Sequence, residues 1–267
     1  MGERWVARVA AATRQMLRDA AGGLLAVAMP DDCRVCERSR QDVTRIPVCA
    51  DCLGAFWLIR DPVCAICGRP MLPEAHLAAA GPLCALCRRG VYSFDLARSY
   101  AAYDQALMRA VTLLKHQAIR PLAGWFGLRL AEVAQSALAG YPADLVVPVP
   151  LHPERQKERG FNQAELLART VARRLGLPVE LRAIERHTPR PAKQRLSRHE
   201  RWEVARGAYG ASPGRRIDNR RVLLVDDVFT TGATLDACAR ALRSAGAAQV
   251  AALTVARVTE AWAGAVP

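Results

Sequence analysis

Residues 222–235 read Val-Leu-Leu-Val-Asp-Asp-Val-Phe-Thr-Thr-Gly-Ala-Thr-Leu, and three physical requirements meet there. The apolar run 222–225 predicts a strand buried on both faces, as in a parallel sheet. Asp226 and Asp227 close that strand and point into the crevice where open α/β sheets bind ligands. The residues that follow, Thr230, Thr231, Gly232, Ala233 and Thr234, are small and hydroxylic and lead into a helix. Backbone N–H groups, Thr hydroxyls and a helix N-terminus together cradle a phosphate. Carboxylates accept hydrogen bonds from sugar hydroxyls, so ribose with a 5′-phosphate is the natural ligand. Acids that merely cap a helix would not need the adjacent pair, two Thr and a Gly together. A receiver domain also has paired acids but needs most of its fold after them, where forty residues remain.

This stretch resembles the phosphoribosyl-diphosphate (PRPP) loop of type I phosphoribosyltransferases. The resemblance implies that Asp226 and Asp227 hold the ribose 2′- and 3′-hydroxyls. It also implies that Thr230, Thr231, Gly232, Ala233 and Thr234 wrap the 5′-phosphate.

Nine cysteines bear on the rest of the chain. Eight form four Cys-x-x-Cys pairs: Cys33/Cys36, Cys49/Cys52, Cys64/Cys67 and Cys84/Cys87. Two thiolates of one tight turn reach one Zn²⁺ at about 2.3 Å, and two such turns complete a tetrahedron. The spacers of 12, 11 and 16 residues suit zinc ribbons. Two structural zincs are expected, with sequential pairing favoured and a cross-braced arrangement left open by the spacing. Disulfides or a redox role fit less well, because the enzyme core reads as cytosolic and the four copies lack a thioredoxin-like context. Cys238 stands alone in the helix after the PRPP loop and reads as an inert core residue.

The 267 residues carry a net charge of +13. Residues 155–221 hold sixteen Arg and two Lys against six Glu and one Asp, a balance of +11. A polyanionic partner is the physical expectation, a diphosphate at least and single-stranded DNA as an alternative; a solvated Arg-rich surface is the competing reading. No run of about twenty apolar residues exists, so no membrane span is expected. A cleaved signal peptide fits poorly, and a cytoplasmic protein is expected. Trp5, Val9, Ala12 and Met16 predict an amphipathic packing helix over 3–19.

Three domains follow: 1–30, a helix and lead-in; 31–92, a double zinc ribbon; and 93–267, the phosphoribosyltransferase domain. In the last, strands are predicted at 99–103, 144–150, 222–225 and 249–255, with helices over 105–116, 122–138, 162–175 and 232–245. This alternation predicts a doubly wound parallel sheet flanked by helices. Residues 185–210 are Arg-rich and weakly patterned.

The order of the zinc module, Leu-Lys-His at 114–116, Val-Pro-Val-Pro-Leu at 147–151, Arg-Gly-Phe-Asn-Gln at 159–163 and the PRPP motif resembles the ComF/GntX family. These are bacterial phosphoribosyltransferase-like proteins, the first linked to DNA uptake in competence. The resemblance implies PRPP binding and Mg²⁺-dependent phosphoribosyl transfer to an unknown acceptor. A non-catalytic PRPP sensor or single-stranded-DNA-binding accessory protein is the alternative. The resemblance places the diphosphate at the loop after Pro150, with Arg155, Lys157 and Arg159 as cations. Lys193 and Arg195, in the segment Lys-Gln-Arg-Leu-Ser, stand where type I enzymes carry a mobile loop. The family's Asn-x-x-Gly-Ala-Phe is replaced here by Val204-Ala205-Arg206-Gly207-Ala208-Tyr209. Oligomeric state is not legible.

Overall fold

The computed structural model describes residues 32–40, 44–72, 82–117, 119–189 and 196–259. The helix expected over 3–19 lies outside them, as do Lys193 and Arg195. The chain divides into two compact units, residues 1–55 and 56–267.

In the first unit the Cys33–Cys36 turn is closed by Glu37 N–H donating to the Cys33 carbonyl at 2.7 Å. A short helix, α1 (Ala50–Gly54), starts directly after Cys49.

The second unit holds α2 (Ala85–Arg88), β1 (Leu96–Ala102), α3 (Gln105–His116), α4 (Arg120–Ala137), β2 (Leu145–Pro148), α5 (Pro153–Arg159) and α6 (Gln163–Leu175). It continues with β3 (Ile184–Arg186), α7 (Arg198–Ala205), β4 (Tyr209–Ala211), β5 (Arg221–Phe229), α8 (Ala233–Ser244) and β6 (Gln249–Arg257). Four strands form a parallel sheet in the order β1-β6-β5-β2, as the alternating pattern predicts. The two inner strands β5 and β6 are buried along most of their length, because helices cover both faces. On one side α6 packs on β2 and β5, and α4 packs on β1 and α6. On the other, Leu235, Cys238 and Leu242 of α8 share a core with Val147, Leu224 and the four cysteines 64, 67, 84 and 87. The second cysteine tetrad therefore lies in the same unit as the sheet.

Several elements differ from the sequence reading. β5 does not end before the acids but runs through them to Phe229, because β6 extends alongside it: Asp226 faces Thr254 and Val228 faces Ala256. The loop expected after Pro150 contains α5, which starts at Pro153 and ends at Arg159, capped by Gly160 (φ 74°). Its sequence, Pro-Glu-Arg-Gln-Lys-Glu-Arg, buries no residue, so no hydrophobic periodicity announces it. The weakly patterned 185–210 segment contains the antiparallel pair β3-β4 and α7. Ser197 and Glu200 cap α7 reciprocally, a Ser-x-x-Glu signature that is legible in the sequence.

Candidate functional site

Asp226 and Asp227 sit in β5, 8 % and 4 % exposed, and line a cavity of about 320 Å³. Asp226 Oδ1 accepts from the Asp227 N–H at 2.8 Å. Burial first, then the adjacent Asp227 charge, push the Asp226 carboxyl up to about 7, against the pull of Lys115. Lys115 Nζ, from the last turn of α3, stands 3.0 Å from Asp227 Oδ2. That one acid is ion-paired while the other is driven towards neutrality is the expected outcome for two carboxylates sharing a buried site.

The Thr/Gly loop closes β5 onto α8. Thr231 Oγ1 accepts from the Ala233 N–H at 3.3 Å, and the Thr231 carbonyl accepts from the Tyr92 hydroxyl at 3.0 Å. Gly232 caps α8 at φ 87°, a conformation that side chains rarely adopt. A Cβ there would also come within 2.5 Å of the Tyr92 ring and 2.7 Å of the Phe229 ring. Thr230, Thr231, Ala233 and Thr234 line the same cavity as the acids, and Gly232 makes the turn between them. The N-terminal end of a 12-residue helix adds a favourable field for an anion.

Residues of the 149–163 segment add to the lining. Pro150, Arg155 and Arg159 line the cavity; Lys157 is exposed on α5 and does not. Arg159 Nη1 donates to Gln163 Oε1 at 2.6 Å. Asn162 explains the Arg-Gly-Phe-Asn-Gln run: its Oδ1 accepts from the Ala164 N–H at 3.0 Å, and its Nδ2 donates to the Val149 carbonyl at 3.0 Å. One side chain thus caps α6 and pins the chain that leaves β2 for the cavity.

Lys115, His116, Tyr103, Arg186 and Arg201 also line the cavity, and no role was read for them from the sequence. Lys115 and His116 lie in the Leu-Lys-His run, where a cation in the last turn of a helix reads equally well as a partner of the helix dipole. Burial first, then the charges of Arg159, Lys115 and Arg155, lower the His116 pKa. The cavity therefore gathers acids on one strand and cations from four other segments, which suits a ligand with vicinal hydroxyls and more than one phosphate.

The cysteines gather in consecutive pairs, Cys33, Cys36, Cys49 and Cys52 in one cluster and Cys64, Cys67, Cys84 and Cys87 in the other, each with its sulfurs within 4.8 Å of one another. Tetrahedral arms of about 2.3 Å place ligand sulfurs about 3.8 Å apart. Cys36 and Cys49 Sγ stand 3.8 Å apart, and Cys67 and Cys84 Sγ stand 3.7 Å apart. Backbone N–H groups of Cys49 and Cys84 donate to Cys33 Sγ at 3.2 Å and Cys64 Sγ at 3.3 Å, the polarity that favours thiolate. Both clusters can hold a metal ion. Cys238 is fully buried in α8 and belongs to neither.

The sequence pattern of the phosphoribosyl transferase domain matches residues 162–263, from the Asn162 cap through β5, the Thr/Gly loop and β6. Fold and match together define a type I phosphoribosyltransferase domain joined to a cysteine-rich module. Competence protein F of Haemophilus influenzae is 26% identical over 214 residues, covering 76% of this chain and 93% of that protein. Competence protein ComFC of Bacillus subtilis is 27% identical over 216 residues, covering 79% and 84%. DNA utilization protein YhgH of Salmonella typhimurium is 29% identical over 215 residues, covering 74% and 94%. Over most of its length the chain is thus similar to competence and DNA utilization proteins, which supports the resemblance to the ComF family. Among the described residues, no helix is long and apolar enough to cross a membrane.

Proposed function

We propose that this protein binds PRPP with Mg²⁺ and transfers its phosphoribosyl group to an acceptor in the service of DNA uptake or nucleotide metabolism in the cytoplasm. The observation that carries the reading is a single cavity lined by Asp226, Asp227, the Thr230–Thr234 loop, Arg155 and Arg159. Asp226 and Asp227 accept from the ribose 2′- and 3′-hydroxyls. The loop and the α8 N-terminus take the 5′-phosphate. Pro150 sets the course of the chain into α5, and Arg155 and Arg159 face the diphosphate; Lys193 and Arg195 are proposed to join them. In the reaction the C1–oxygen bond to diphosphate breaks, its electron pair leaves with the diphosphate, and a lone pair of the acceptor forms the new bond to C1. Positive charge grows on the ribose and negative charge on the leaving group. The arginines act on the leaving group, each such donor contributing about 3–4 kcal/mol. Bound with PRPP, Mg²⁺ supplies further charge neutralisation at the diphosphate oxygens. The two cysteine tetrads are proposed to hold zinc as closed structural sites.

Calorimetry with PRPP and Mg²⁺ tests the reading. Asp226→Asn combined with Asp227→Asn replaces two charged acceptors by neutral amides with one accepting oxygen each and weakens binding at least about tenfold, or about 1.4 kcal/mol. Equal affinity in the double variant sinks the assignment. A second reading, single-stranded DNA as ligand, draws on the names of the relatives and on the number of cations, Lys115, Arg155, Arg159, Arg186 and Arg201, around one cavity.

A further inference from the structure

The second cysteine tetrad reaches the Thr/Gly loop by two routes. Tyr92 follows Cys87 by five residues, and its hydroxyl donates to the Thr231 carbonyl at 3.0 Å. The next N–H, that of Ser93, donates to Asp236 Oδ1 at 2.7 Å, and Asp236 is fully buried in the first turn of α8. The Tyr92 ring stacks on Phe94 at 4.7 Å and stands edge-on to Phe229 at 6.0 Å. The other route starts at Cys67. Arg257, at the end of β6 and 2 % exposed, donates from Nη1 to the Cys67 carbonyl at 2.6 Å and from Nη2 to Cys67 Sγ at 3.4 Å. Its guanidinium lies 3.9 Å from the centroid of the Phe229 ring, and Phe229 directly precedes Thr230. The knuckle at Cys67 and the chain leaving Cys87 thus converge on the residue before the loop, the middle of the loop and the helix after it.

A purely apolar support would need the rings but not the Tyr92 hydroxyl. The hydroxyl holds the carbonyl of the Thr231–Gly232 peptide. A trans peptide is planar, so a C=O held towards Tyr92 turns the Gly232 N–H the opposite way. An anion site made of backbone N–H groups depends on that orientation. We propose that Tyr92 is a positioning residue for the loop, carried into place by the second cysteine tetrad, and that closure of the tetrad sets the Thr231–Gly232 peptide for phosphate binding. For its ligand this rests on the PRPP reading.

The test uses the full chain loaded with zinc, and its Tyr92→Phe variant. Amide hydrogen exchange of 230–236, PRPP/Mg²⁺ calorimetry, metal content and the thermal midpoint are read in parallel. The variant is expected to keep the wild-type metal content and thermal midpoint, to exchange the loop amides about tenfold faster, as the loss of one hydrogen bond predicts, and to bind PRPP at least about threefold more weakly. Removing the metal from the wild-type protein with a chelator is expected to speed exchange in the same amides. Unchanged exchange in Tyr92→Phe, with unchanged PRPP affinity, overturns the proposal and leaves Tyr92 as core packing. Faster loop exchange in a protein whose wild type binds no PRPP supports the positioning role and removes the PRPP reading instead.

Discussion

Lys115 Nζ lies 3.0 Å from Asp227 Oδ2, which joins the last turn of α3 to the acid pair on β5 across 112 positions of chain. The Asp227 side chain is 5 % exposed and that of Lys115 25 %, so the lysine is a charge partner for a carboxylate almost wholly removed from water.

Lys115→Met keeps the aliphatic stem and removes the charge. Breaking a fully buried pair costs about 3–5 kcal/mol. With the lysine partly solvated, a loss of about 1–3 kcal/mol in urea unfolding is expected. A loss below about 0.5 kcal/mol would mean that Asp227 is satisfied by other groups.

The Asp226 carboxyl is raised from 3.8 to about 7 in the folded chain. The sign follows: the folded state holds this proton more tightly than the unfolded one. The stability it contributes is complete below about pH 4 and is lost as pH rises to about 7, by at most about 1.4 kcal/mol per pH unit. Urea unfolding of the wild type and of Asp226→Asn, at pH 5 to 8, should show a difference that shifts with pH up to about 7 and is flat beyond it. Ligand affinity should run the other way, because an ionised carboxylate is the stronger acceptor for a ribose hydroxyl, so PRPP is expected to bind more tightly at pH 8 than at pH 6. Parallel pH profiles for the two proteins would rule out Asp226 as the titrating group.

Metal analysis is expected to find close to two zincs per chain, with Cys238→Ser unchanged. Cys36 and Cys49 are partly exposed, whereas Cys64, Cys67, Cys84 and Cys87 are all buried. A chelator is therefore expected to strip one zinc quickly and the second slowly, and only the second loss should lower the thermal midpoint of the unit that holds the sheet. A single zinc, or disulfides under non-reducing mass spectrometry, would contradict the assignment.

Single-stranded DNA binding, if the basic segment provides it, is sequence-tolerant and steep in salt. Arg155, Arg169, Arg206, Arg216 and Arg221 already pair with Glu158, Glu165, Glu203, Asp218 and Asp144, which lowers the number of cations free to meet phosphates. With about three to five contacts, each adding a log–log slope near −0.7, raising salt from 50 to 200 mM should weaken binding by roughly one to two decades. Competition by PRPP would place the strand in the cavity. Absence of binding at 50 mM salt would leave the cations as a diphosphate clamp or a solvated surface.

Much of the fold and part of the site are legible from local chemistry. The strand, acid pair and Thr/Gly turn occupy consecutive residues. The limits of α3 follow from Leu107, Val111 and Leu114 recurring on one buried face. The cysteine pairs are written in their spacing, because a metal knuckle is a single tight turn. The length of β5 was not legible, since its last residues pair only because β6 runs beside them. Nor was α5, which buries no residue. Lys115, Arg186 and Arg201 reach the cavity from three separate elements, and no short-range pattern encodes which distant cation meets a buried acid. The sheet order β1-β6-β5-β2 and the packing of the second tetrad beneath it decide those meetings. The sequence alone determined which residues carry chemistry suited to a phosphate, a sugar or a metal, because that chemistry resides in residue type and near-neighbour spacing. Only the tertiary structure decided which of them share one cavity and which cysteine turn stands against the loop, because long-range contacts depend on the packing of the whole unit.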